Sequence, residues 1–106
     1  MAKSNRITLD EKLRRILGTT NVYYRAPESV KLHYPAIIYK LSGIESMNAD
    51  NRKYIYETEY EVTYIGKDPD FNSINIMLNE FDKIRFVRRF TKDNLVHDVF
   101  YLYWKN

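Results

Sequence analysis

Two sets of charged side chains in this 106-residue chain have the types and spacing to act on something beyond their own segment. Glu57, Glu59 and Glu61 recur at every second position, and residues i and i+2 of a strand share a face. Converging carboxylates can do general acid–base work. No nucleophile accompanies them in the sequence, so the stronger reading of the row is a charged face, either solvated or meeting another chain. Lys83, Arg85, Arg88, Arg89 and Lys92 form a basic cluster with Phe86 and Phe90 inside it. Cations interleaved with aromatic rings can hold single-stranded nucleic acid. Strict alternation, however, sends Ile84, Phe86, Arg88 and Phe90 one way and Arg85, Val87 and Arg89 the other, which makes Phe86 and Phe90 core residues. The segment also has no Gly, which the RNA-recognition-motif signature requires.

Other chemistry lacks its residues. There is no Cys, so disulfides, thiolate metal sites and Cys nucleophiles are excluded. Gly18, Gly43 and Gly66 stand alone and build no phosphate-binding loop. His33 and His97 have no partner at metal-ligand spacing, and each is expected to sit half-buried beside a strand. These absences predict a protein without catalytic residues, metal or cofactor. The apolar share of 44% and charged share of 29% are those of an ordinary folded domain. The length suits one domain, residues 1–106. No apolar run approaches the ~18–20 residues of a membrane span, and the polar stretch Met1 to Arg6 does not have the pattern of a signal peptide.

The distribution of charge says more than its total of +3. Residues 54–82 sum to −6 and residues 83–92 to +5. A chain can neutralise itself by folding two such segments side by side. Copies of a chain can also meet acidic face to basic face. Tyr54, Tyr56, Tyr60 and Tyr64 add to the second reading, because four tyrosines on one strand face are difficult to bury in so small a core, and Tyr is enriched at interfaces.

These side chains must be positioned by seven elements. Thr8 followed by Glu11 has the form of a capping box; Ile7, Leu9, Leu13, Ile16 and Leu17 then have spacings that suit one helical stripe, which Gly18 stops, giving a helix over residues 9–17 behind a flexible stretch 1–6. Val22–Arg25 is a short strand. Tyr34–Leu41 is a second, with Pro35 at its start, where no ladder donor is needed. Residues 42–53 are polar and predict a long loop. Within it Met47, Asn48, Asp50, Asn51 and Arg52 are the expected partner-binding, mobile part. Residues 54–65 alternate cleanly as a strand with a tyrosine face and an acidic face. Asp68 or Asp70 caps a second helix over residues 70–82, whose stripe is Ile74, Met77, Leu78 and Phe81. Strands over 84–90 and 95–104 close the chain. The order α-β-β-β-α-β-β predicts an α+β domain: a mostly antiparallel mixed sheet of about five strands with two helices packed on it.

Taken in order, Leu13–Gly18 (LRRILG), Val22-Tyr23-Tyr24, Leu32–Tyr39 (LHYPAIIY), Asn48–Asn51 (NADN) with Tyr54, Tyr60–Ile65 before Asp68-Pro69-Asp70, then Arg88-Arg89-Phe90 and Asp93–His97 form a pattern covering about residues 9–104. This pattern resembles the small tail-completion, or tail-terminator, proteins of long-tailed bacteriophages. The resemblance implies a structural virion protein, assembled in the bacterial host cytoplasm. Its copies would form a ring, usually a hexamer, at the head-proximal end of the tail tube. The ring would end tube polymerisation and join the tail to the head connector, with DNA passing through its channel without specific binding. Partners would be other copies, the tube protein and the connector, with no membrane. The family has no short functional motif to transfer, so the expected subunit interface comes from the residues alone: Glu57, Glu59 and Glu61 of one copy against Arg85, Arg88, Arg89 and Lys92 of the next, with Tyr54, Tyr56 and Tyr60 supplying apolar contact. The alternatives are a nucleic-acid-binding module using residues 83–92, or another neck component such as a head-completion protein.

Overall fold

Helix α1 (Asn5–Leu17) buries Leu9 and Leu13 completely and packs Ile16 and Leu17 against the same core, while Ile7, expected in the stripe, falls on the exposed side. It ends as the sequence predicts. Gly18 takes φ +78° and donates its N–H to the Arg14 carbonyl at 2.9 Å, a left-handed cap that a Cβ would strain. The start differs from the expectation. The computed structural model describes residues 5–26, 31–49, 53–68 and 70–104, giving the backbone path alone for 44–49 and 53–57, and α1 already includes Asn5. Thr8 lies inside the helix and does not cap it. Its hydroxyl donates to the Asn5 carbonyl and accepts from Trp104 Nε1, both at 2.9 Å. Asn5 is tied down twice, its Nδ2 donating to the Trp104 carbonyl and its Oδ1 accepting the Tyr60 hydroxyl at 2.7 Å. Arg6 lies over the Tyr24 ring. Tertiary partners, absent from any local pattern, thus hold Asn5 and Arg6 of the stretch 1–6 expected to be loose; residues 1–4 lie outside the described residues.

Five strands follow: β1 (Val22–Tyr24), β2 (Ala36–Ala49), β3 (Lys53–Gly66), then, after helix α2 (Asn72–Glu80), β4 (Ile84–Lys92) and β5 (Leu95–Trp104). They make one sheet in the order β1-β2-β3-β5-β4. Every neighbouring pair is antiparallel except β1 with β2. The fold is the expected single α+β domain in the expected element order. Both helices cover one face of the sheet. There Ile37, Tyr39, Tyr60, Val62, Phe100 and Leu102 meet Leu9 and Leu13 of α1 and Ile74 and Met77 of α2. Burying this much aliphatic and aromatic surface is the main stabilising term, at about 25 cal/mol per Å² removed from water.

The polar stretch 42–53 is strand through Ala49, not loop. Glu45 pairs with Glu57 and Ala49 with Lys53. Hairpin pairing satisfies backbone groups whatever the side chains are, and the sequence of 42–49 (SGIESMNA) carries no apolar alternation to reveal it. Strand β4 departs from strict alternation. The register shifts between Phe86, opposite Phe100, and Arg88, opposite Val99, so Val87 is a bulge. Beyond it, Arg89 joins Ile84 and Phe86 on the helix-covered face, while Arg88 and Phe90 join Arg85 on the other. Phe90, expected in the core, is 38% exposed. Helix α2 is shorter than predicted. Its stripe buries Ile74 and Met77, with Phe81 just past its end, and leaves Leu78 exposed. Its N-cap residue, Phe71, makes no side-chain cap bond. Asp68 acts from farther back: Oδ2 accepts the Ser73 N–H at 2.7 Å and Oδ1 the Asp70 N–H at 3.0 Å. Those two bonds hold its carboxyl below the ordinary carboxylate range.

Candidate functional site

With both helices on one side, the opposite face of the sheet carries the charged rows. Register alignment puts Glu59 and Glu61 of β3, Tyr101 and Tyr103 of β5, and Arg85 of β4 on this helix-free face. The acidic and basic rows therefore share a face, with one strand between them, about 10 Å apart at ordinary strand spacing. Tyr101 bridges the gap. Its hydroxyl donates to Glu61 Oε1 at 3.0 Å, and the Arg85 guanidinium lies over its ring at 5.4 Å. Accepting that proton, Glu61 holds the phenol above its ordinary pKa, with Arg88 opposing. Lys40 of β2 sits 3.7 Å from the other Glu61 oxygen. Glu59 accepts the Ser42 hydroxyl at 2.8 Å.

At the far end of this face a groove of about 370 Å³ has Thr63, Ile65 and Val99 at its base. Leu32 and Tyr34 line it on the β2 side, and Phe90 and His97 on the other. Phe90 stacks on His97 with centroids 4.7 Å apart, and Arg88 lies over Phe90 at 5.7 Å. Lys92 lines the same groove. His97 is half-buried on a strand, as expected; His33 is exposed, its backbone N–H donating to the Tyr23 hydroxyl. Among the described residues, no group of three His, Asp or Glu side chains is placed to hold a metal ion.

The structure separates the predicted interface residues. Glu59, Glu61, Arg85, Arg88 and Lys92 all lie on the helix-free face. Arg89 does not: it turns under α2 and pairs with Asp98, Nε to Oδ1 at 2.6 Å and Nη2 to Oδ2 at 3.1 Å. Asp98 also accepts the Ser73 hydroxyl at 2.9 Å. That carboxylate raises the Arg89 pKa further. Tyr60 is a core residue at 3% exposure, so it cannot supply surface contact. The helices, not a partner, cover the tyrosine face here, and Asn5 satisfies the Tyr60 hydroxyl. Tyr54, Tyr56 and Glu57 lie on the outer part of β3 and Met47 and Asn48 opposite on β2; Asp50, Asn51 and Arg52 lie outside the described residues.

Sequence reasoning missed Asp98 as the partner of Arg89, and Tyr101 and Lys40 as partners of Glu61. Asp98 carried a signal, being an acid inside an otherwise apolar strand. The most prominent feature is the hairpin itself. Strand β5 stops at Trp104, opposite Thr58. From Glu45 opposite Glu57 to Ala49 opposite Lys53, β2 and β3 pair only with each other among the described residues. This two-stranded ribbon extends the sheet by roughly 17 Å. No family model matches the chain, and no curated protein matches it.

Proposed function

We propose that this chain is a structural ring subunit of the phage tail-terminator type, seated at the head-proximal end of a tail tube and joining it to the head connector. The observation that carries the reading is the ribbon of β2 and β3, which leaves the sheet with no strand beside it among the described residues. An isolated two-stranded hairpin is marginal in water, so a ribbon of this length suits an arm that gains a neighbour on assembly. The ordered sequence pattern from LRRILG to DNLVH supports the same reading. So does the helix-free face, which offers acid and base to a second copy. Light scattering on a sizing column, across a concentration series at low and moderate salt, tests it. A mass climbing toward six copies, more readily at low salt, is expected; a monomer throughout would sink the self-assembling ring.

One observation favours a second reading, a single-strand nucleic-acid module. The bulge at Val87 turns Arg88 and Phe90 out onto the open face beside His97, where a base could stack. That module would bind short oligonucleotides with an affinity falling steeply as salt rises. A flat titration at low salt eliminates it.

A further inference from the structure

We infer that two copies of this chain join edge to edge, β4 of one against the unshielded outer edge of β2 in the next, making one continuous antiparallel sheet. The inference rests on the ring reading and adds which surfaces meet.

Three observations carry it. The first is the pair of open edges. Strand β1 covers β2 only at Ile37–Tyr39, so residues 40–49 have no strand on their outer side among the described residues. On the opposite side of the sheet, β4 presents nine residues, Ile84–Lys92, with β5 as its single strand neighbour among the described residues. The two free edges match in length, and unpaired edges are ready templates for another strand.

The second is polarity. Strand β2 is antiparallel to β3, β3 to β5 and β5 to β4, so β4 runs opposite to β2. A rotation about an axis near the strand direction preserves that relation, so successive copies meet in antiparallel register. The edges differ, so the contact is head-to-tail, the kind that closes into rings. The β4 edge lies level with the start of β2: Ile84 shares a row with Leu102, Tyr60 and Leu41. Joining it to residues 40–49 therefore staggers each copy along the strands. Closed sheets require such stagger, because their strands tilt by about 35–45°.

The third is charge. Glu45 and Glu57 are directly opposite one another on the ribbon, and Glu59 follows Glu57 on the same face. The β4 edge carries Arg85, Arg88 and Lys92 on the corresponding face. Both rows lie on the helix-free side, so an edge-to-edge join sets acid beside base on one continuous surface.

Hydrogen exchange on the full chain, read by mass spectrometry across the same concentration series as the mass, tests the inference. Amides of 40–49 and 84–92 are expected to slow together, by about tenfold or more, as mass rises. The chain has no Cys, so single variants add a direct check: Ser42→Cys mixed with Arg85→Cys, Arg88→Cys or Lys92→Cys should give an oxidised heterodimer for at least one pair. Rising mass with no protection of these edges and no heterodimer overturns the edge pairing and leaves the ring standing; the charges and the bulge in β4 would then serve to repel strands. A mass that never rises overturns both.

Discussion

Arg89 and Asp98 show how much one residue's partner decides. Asp98 is a buried carboxylate with 2% of its side chain exposed, and the Arg89 guanidinium over it is 22% exposed. Removing one member of such a pair leaves a charge without compensation, which is strongly destabilising. Arg89→Ala should cost roughly 2–4 kcal/mol in urea unfolding. Arg88→Ala, on the open face, should stay within about 0.5 kcal/mol; equal effects would mean that the pair contributes nothing. Protonation is legible at the same scale. Burial raises the phenols of Tyr39, Tyr60 and Tyr64 above 10.0, and the Asp10 carboxylate accepting the Tyr39 hydroxyl at 2.6 Å adds to the first. In the unfolded chain these phenols ionise near 10.0 and in the folded chain later. Their stabilisation is full below that pH and is lost as pH rises through the folded values. Stability should therefore fall from about pH 10 upward, and Tyr39→Phe should flatten the fall. A wild-type urea midpoint unchanged up to pH 11.5 (~1.5 units above the free phenol) would contradict this. Asp68 has the opposite sign. Its lowered carboxyl stabilises above the ordinary carboxylate range and ceases to do so as pH falls through its folded value.

At the scale of elements, α1 is held from both ends. Gly18 terminates it at φ +78° with no atom within 4 Å of the Cβ it lacks. Gly18→Ala should cost about 1 kcal/mol from backbone strain alone, seen as a lower unfolding midpoint with an unchanged denaturant slope. Leu13→Ala removes a fully buried side chain and should cost about 2–5 kcal/mol, the spread reflecting how far the site collapses. The helix stripe that sets Leu13's burial was legible in the sequence. The start of the helix was not, because Asn5 and Thr8 are fixed by Trp104, some hundred residues away in the chain. The outer half of β2, residues 42–49, was illegible for a different reason. Residues 42–49 (SGIESMNA) have no apolar period, so their polar composition predicts a loop.

For the whole molecule, sheet order outweighs segment charge. The acidic and basic blocks adjoin in sequence, yet β5 enters between β3 and β4, and Tyr101 occupies the gap. Glu61 already pairs with the Lys40 ammonium, whereas Glu59 accepts the neutral Ser42 hydroxyl, so Glu57 and Glu59 are the carboxylates to reverse. The double variant Glu57→Lys, Glu59→Lys should fold with near wild-type stability but assemble more weakly, at ~0–1 kcal/mol per exposed pair. Its remaining assembly should depend less on salt than that of the wild type, as sedimentation at two ionic strengths would show. Assembly unaltered in both respects would remove charge from the interface.

The residues alone determined the element order, the α+β class, the helix stripe of α1, the left-handed stop at Gly18 and the alternation of β3. Each depends on local period or on one residue's backbone preference, so local sequence suffices. Tertiary structure decided which face of each strand is covered. It placed the tyrosine face of β3, with Tyr60, beneath the helices, and one bulged residue at Val87, which inverts every later face assignment in β4, put Arg89 there as well and turned Phe90 outward. It also gave Glu61 and Asn5 partners far away in the chain. Such pairings follow from the packing of elements against one another, which no local spacing encodes.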